Sequence, residues 1–236
     1  MQSKNAIVAL SGGMDSATVL AEAINQKRTV LLAVSFRYGS KHNQYENNAA
    51  KQICQHYAIR HQLMDLSNVF RIAAEESKSA RFRDGDEIPE GHYEAASMEK
   101  TVVPARNIIF ASILTSIAWS LEAYEVWMGM HSGDHAIYPD CRPEFVTNMR
   151  QAMFNGTAGR VMLKVPFLGG DKESILHQGF SLSVPYQLTR TCYKDQPVAC
   201  GKCGACQERL AAFAAHNAKD PIPYESQEIL PKPMES

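Results

Sequence analysis

Two groups of residues have the types and spacing to do chemistry. Near the end of the chain, Cys192, Cys200, Cys203 and Cys206 stand in the pattern C-x7-C-x2-C-x2-C, with Gly201 and Gly204 between them. Glycines there allow the tight turns that aim successive sulfurs at one point. Four thiolates fill a tetrahedral Zn2+ and leave no position open, so such a site is structural. An iron–sulfur cluster, or cysteines with a redox or no role, fits the same residues. Cys54 and Cys141 stand apart from this group. Near the start, Ser11-Gly12-Gly13-Met14-Asp15-Ser16 follows the apolar run Ala6 to Leu10. Glycines let the backbone approach a ligand, and the unpaired N–H groups of a following helix attract an anion. Ser11 and Ser16 add hydroxyl donors, and Asp15 can accept from an amine or hold a metal. No lysine follows as it would in G-x-x-x-x-G-K-S/T, so the turn is not a Walker A loop.

Both groups need elements to position them. The run before the glycines is short, continuous and β-branched, as in a strand buried on both faces of a parallel sheet. Ala17, Val19, Leu20, Ala23 and Ile24 then recur at helical spacing. A second strand over 28–36, a helix carrying Tyr45, Ala49, Ile53 and Tyr57, and a third strand near 61–66 continue the alternation. Pro104 opens an apolar helix through Leu121, expected to be central, against the sheet or a second subunit, because it is apolar nearly all round. Strands over 125–130 and 161–167 and a helix begun by Asp171 complete an α/β, doubly wound, mainly parallel five-stranded sheet. The aperiodic, charged stretch 67–103 is expected to be a lid, a dimer contact or a plain insertion. The division is an α/β domain over 1–185 and a small cysteine-bearing segment with a helix and tail over 186–236.

The 236 residues carry a net charge of −1, so neither a basic nor an acidic tail advertises nucleic acid or a charged partner. No apolar run approaches the ~18 residues of a membrane span, and no signal peptide precedes the first strand. A cytoplasmic protein with no direct nucleic-acid or membrane partner is expected. In a reducing compartment, a crowded cysteine group binds metal more readily than it forms disulfides.

The glycine turn resembles the pyrophosphate (PP) loop of the adenine nucleotide alpha hydrolase-like ATP pyrophosphatases. Further blocks stand in order with it: Tyr38-Gly39 with Lys41-His42, Val103-Pro104-x-Arg106-Asn107, Tyr138-Pro139-Asp140-Cys141-Arg142, the cysteine group, and Asp220-Pro221-x-x-Tyr224. Together they resemble the 7-cyano-7-deazaguanine (preQ0) synthases over nearly the whole chain. That resemblance implies a reaction of 7-carboxy-7-deazaguanine with ATP and ammonia, with Mg2+ accompanying ATP, structural Zn2+ on the four cysteines, and a homodimer. It implies that Ser11, Gly12, Gly13, Met14, Asp15 and Ser16 cradle the leaving pyrophosphate and that Lys172 reaches the phosphates. Arg106 and Asn107 are expected on ATP or on the substrate carboxylate. Asp134, Tyr138, Asp140 and Arg142 are expected around the substrate ring. His131 and His135 flank Asp134, so a second metal site is conceivable there, although hydrogen-bonded loop histidines are the commoner arrangement. The family usually carries Asp-Tyr-Gly-Gln-Arg-His where this chain has Arg37-Tyr38-Gly39-Ser40-Lys41-His42. The reversal at Arg37 raises an alternative, in which the activated carboxylate is joined to another amine, such as a protein N-terminus, and the product stops at the amide.

Overall fold

In a computed structural model of the chain, which describes residues 4–93, 95–134 and 136–230, five parallel strands form one sheet in the order β3-β2-β1-β4-β5. The strands are β1 (Asn5–Ala9), β2 (Thr29–Arg37), β3 (His61–Asp65), β4 (Glu125–Trp127) and β5 (Met162–Lys164). Their helices are α1 (Met14–Asn25), α2 (Asn43–His56), α3 (Arg71–Ser77), α4 (Arg106–Ser120), α5 (Pro143–Gly156), α6 (Lys172–Ser181) and α7 (Gly204–Ala215). Ile7, Val8, Ala33, Val34 and Val126 are buried to within a per cent of completely. That is the burial expected of strands covered on both faces.

One apolar cluster joins the sheet to α4 and α5 through Leu114, Ala118, Val146 and Leu163. A second, with Leu20, Ile53, Leu176 and Phe213, joins it to α1, α2, α6 and α7. The chain leaves β1 toward β2 on one side, while β4 pairs with β1 on the other. The sheet therefore reverses its winding between β1 and β4, the point where open α/β sheets bind ligands beyond their carboxyl ends.

Three expectations need correction. The stretch 67–103 is not without elements: it holds α3 and a 3-10 turn (Ala96–Thr101) and buries Phe70, Phe82, Tyr93 and Met98. Phe70, Phe82 and Tyr93 join the apolar cluster of the sheet from separate turns rather than from one helix face, so no period reveals them. Pro104 lies two positions before α4 rather than in its first turn. Nor is α4 enclosed: Asn107, Ala111, Leu114 and Ala118 face inward, while Ile108 and Trp119 stay 44% and 43% exposed. No helix among the described residues is long and apolar enough to cross a membrane.

Candidate active site

The glycine turn runs from the end of β1 into α1, and its two serines tie it together. Ser11 Oγ lies 3.1 Å from Ser16 Oγ and accepts the Gly13 N–H at 3.2 Å, while Ser16 Oγ donates to the Gly13 carbonyl at 3.1 Å. The two glycines have different tasks. Gly12 has φ +88°, and a Cβ there would lie 2.3 Å from the Glu46 carbonyl of α2, so it permits packing of the turn on a helix. Gly13 and Ser11 face the cavity instead, with Asp15 and Ser16. Met14 also borders it, but its side chain is wholly buried in the core, which leaves its backbone for a ligand.

Lys172, the first residue of α6, reaches this turn. Its Nζ lies 2.6 Å from Asp15 Oδ2, 3.1 Å from Glu208 Oε2 and 3.3 Å from His131 Nε2. Burial pushes the Asp15 carboxyl up, but the charges of Lys172 and His131 more than offset it and hold Asp15 below its ordinary value. Asp15 Oδ1 is buried with no hydrogen-bond partner among the described residues. A carboxylate oxygen left bare beside a cation-rich anion turn suits an incoming amine or a metal ion carried on phosphate.

Beyond β2 the cavity changes character. Tyr38, Tyr138 and Tyr193 supply ring surface, and Arg81, Arg106, Asn107 and Glu46 supply polar groups. Arg106 donates to Tyr38 Oη at 3.5 Å. The Tyr138 hydroxyl is 2.6 Å from Thr101 Oγ1, which itself donates to the Met98 carbonyl, so the tyrosine is the donor and its ring is held against the cavity. Asn107 is fixed by bonds from Nδ2 to the Asp140 carbonyl and to Cys141 Sγ.

Two expected ring-binding residues are not brought to the cavity wall. Asp140 turns its carboxylate to the Asn107 backbone N–H at 2.8 Å, satisfying one of the donors left open at the start of α4. Arg142 is exposed at the start of α5. The side chain of Asp134 and the whole of His135 lie outside the described residues, and the notion of a metal between them goes no further. Arg37 points away as well, pairing at 2.8 Å with Asp65 while both remain about half exposed. Its charge reversal therefore falls outside the cavity.

Sequence reading missed Glu46, Arg81, Tyr193 and Glu208, which line the cavity. They come from α2, the 67–103 stretch, the cysteine segment and α7, and no short motif spans them. Glu46 and Glu208 sit on helices whose apolar spacing was legible but whose polar residues carry no period, and Arg81 and Tyr193 stand in segments with no apolar period at all.

The four cysteines converge. Their sulfurs all lie within 4.8 Å of one another, and Cys200 and Cys206 are 3.9 Å apart. A tetrahedral ion with metal–sulfur bonds of about 2.3 Å would set sulfurs about 3.8 Å apart, so the residues fit such an ion. Backbone N–H groups of Lys194, Cys200, Lys202 and Cys203 point at the Cys192 and Cys200 sulfurs at 3.3–3.4 Å, as donors to thiolates do. This cluster is joined to the anion turn. The Arg190 N–H donates to the Gly12 carbonyl at 2.8 Å, and Thr191, next to Cys192, lines the cavity.

A parallel sheet with a glycine turn at its winding reversal, a buried lysine reaching that turn from α6 and a four-cysteine knot beside it define an α/β protein with its cavity beyond the carboxyl ends of the strands. The chain belongs to the family described as "Queuosine biosynthesis protein QueC", whose family model matches residues 5–217. It is 47% identical over 219 residues to the "7-cyano-7-deazaguanine synthase 1" of Colwellia psychrerythraea, covering 93% of this chain and 98% of that one. It is 45% identical to the 7-cyano-7-deazaguanine synthase of Pseudoalteromonas translucida with the same coverage. Among solved structures, an NMN synthetase from Francisella tularensis has the same fold, with a TM-score of 0.53, 14% identity and coverage of 92% of this chain and 79% of that one.

Proposed function

We propose that the protein makes 7-cyano-7-deazaguanine from 7-carboxy-7-deazaguanine and ammonia, as a ligase that splits ATP into AMP and pyrophosphate. A carboxylate oxygen attacks the α-phosphorus and pyrophosphate leaves with the bonding pair. Ammonia adds to the carbonyl carbon and AMP departs, giving the amide. The amide oxygen then attacks the α-phosphorus of a second ATP, pyrophosphate and one N–H proton leave, and loss of AMP with the remaining N–H proton yields the nitrile.

The observation that carries this reading is the anion turn with Lys172 set against Asp15. Charge develops on the departing pyrophosphate, and donors fixed beforehand stabilise it without reorganising. The backbone N–H groups of Met14, Asp15 and Ser16, which precede the first intrahelical bond of α1, and the Ser11 hydroxyl supply those donors, and Lys172 supplies the cation. Gly12 shapes the turn, and Met14 offers its backbone. Asp15 Oδ1 is the protein group suited to Mg2+ arriving with ATP, where it would neutralise phosphate charge. Arg106 and Asn107 border the reacting groups, and the Tyr138 ring offers a stacking face. Glu46 is the buried carboxylate placed to accept from the N–H edge of the ring. Zn2+ on Cys192, Cys200, Cys203 and Cys206 would hold residues 186–236 as a unit against the 1–185 domain. The outer face of α4, with Ile108 and Trp119, supports a homodimer, and six free cysteines support a reducing, cytoplasmic setting.

The test is incubation of the purified protein with 7-carboxy-7-deazaguanine, ATP, Mg2+ and ammonium, followed by mass spectrometry and nucleotide analysis. The nitrile, AMP and pyrophosphate are expected. ADP and phosphate in their place would sink the assignment.

A further inference from the structure

Positive charge in the cavity is balanced unevenly. Lys172 is held between two carboxylates, Asp15 and Glu208. Arg190 spends its guanidinium on the carbonyls of Lys194, Gln196 and Pro197. Arg81 and Arg106 differ: among the described residues, neither has a carboxylate oxygen within 4.0 Å, and each makes one side-chain hydrogen bond. The acids that bear on them are engaged elsewhere: Glu46 lies against His42 at 3.3 Å, and Asp140, beside Arg106, accepts the Asn107 N–H at 2.8 Å. Buried cations are costly to leave without a counter-charge.

Arg81 is also the better fixed of the two. The 79–83 stretch runs beside the loop after β2, with the Lys41 N–H donating to the Arg81 carbonyl and the Arg83 N–H to the Gly39 carbonyl, both at 2.9 Å. Its side chain is only 6% exposed and lines the cavity. The guanidinium lies 4.3 Å over the Tyr193 ring, and one terminal nitrogen donates to His42 Nε2 at 3.0 Å. Its Nε is buried and without a partner among the described residues. Stacked and held at one corner, the fork has donors left for a planar anion.

We propose that Arg81, supported by Arg106, grips the carboxylate of the substrate ring and is the residue that separates the acid substrate from its neutral products. This rests on the proposed function above. The anion is a carboxylate on a flat ring rather than polyphosphate, because phosphate already has the glycine turn and Lys172, whereas Tyr38, Tyr138 and Tyr193 surround Arg81. Once the carboxylate has become an uncharged amide or nitrile, the guanidiniums lose their counter-charge and the product its hold.

The test compares the intact wild-type protein with Arg81→Gln and Arg81→Lys. Affinities for 7-carboxy-7-deazaguanine and 7-cyano-7-deazaguanine are measured by calorimetry, and KM for ATP is measured alongside. Arg81→Gln should weaken the acid by about 30-fold, as expected for loss of a charge-assisted bond, and change the nitrile and the KM for ATP by no more than about twofold. Arg81→Lys should restore part of the acid affinity but not all of it, since an ammonium is no fork. Equal weakening of acid and nitrile, an unchanged acid affinity, or a rise confined to the KM for ATP would overturn the inference. Should Arg81→Gln not fold, the acid-to-nitrile ratio of Arg81→Lys decides in the same way. If the wild type binds neither compound and releases no AMP, the proposed function itself fails and the inference with it. A wild type that makes the nitrile beside an unaffected Arg81→Gln defeats the inference alone.

Discussion

Lys172 could be read from sequence as a helix-start lysine, but its burial between Asp15, Glu208 and His131 could not, because those partners come from distant segments. Asp15→Asn should therefore reduce AMP formation by at least about 100-fold, in line with loss of one preorganised charge at a leaving group. It should do so without loss of fold, which circular dichroism and a nucleotide assay check together. The Asp15 carboxyl sits below its ordinary value in the folded protein, so its stabilising contribution is present above that value and fades as pH falls through it. The stability gap between wild type and Asp15→Asn should accordingly narrow between about pH 5 and 3 in denaturant titrations. His42 makes the opposite kind of group. Burial holds its ring below the ordinary value, Glu46 pulls it back up, and Arg81 and Arg106 push it down again. Its Nε2 lies 3.0 Å from an Arg81 terminal nitrogen, a donor, and 3.3 Å from Glu46 Oε2, an acceptor, and burial favours the neutral ring. Below about pH 6.5 the unfolded chain takes up a proton that the folded ring resists, so stability should fall with pH there, and His42→Asn should flatten that slope.

Helices and strands were legible where apolar periodicity was strong, and their bounds moved by only a few residues. β1 ends at Ala9, although the apolar run continues to Leu10, because the chain then leaves the sheet for the glycine turn. The stretch 67–103 resisted reading because its order comes from staples such as the Arg83 N–H on Gly39, which have no sequence signature. The join between α7 and the tail is similar. Arg209 is wholly buried, grips Asp220 through Nε at 2.6 Å and a terminal nitrogen at 2.8 Å, and gives its other donors to Thr189, Thr191 and the Tyr186 carbonyl. The Tyr224 hydroxyl completes the acid's partners at 2.7 Å. The spacing of Asp220 and Tyr224 was visible beforehand, but not the arginine that explains it. Breaking one side of such a pair strands a buried charge, so Arg209→Leu should cost about 3–5 kcal/mol, read as a lower denaturant midpoint.

Across the molecule as a whole, the cysteine spacing was the most legible feature, because one ion dictates where four sulfurs must go. Cys203→Ser should empty the site, as elemental analysis would show, and lower the melting temperature by roughly 10 °C. Pairing of copies through α4 should disappear in sedimentation experiments on Ile108→Glu/Trp119→Lys, with activity per chain measured beside it. The bond from Arg190 to the Gly12 carbonyl and the reach of Glu208 to Lys172 have one more consequence. The partners that finish the glycine turn lie some 180 residues after it, so a ribosome makes them long after the turn itself. Translation halted before Arg190 would leave a nascent chain with all five strands and an unfinished glycine turn, so the pocket is completed only when the late segment has folded back onto the earlier one.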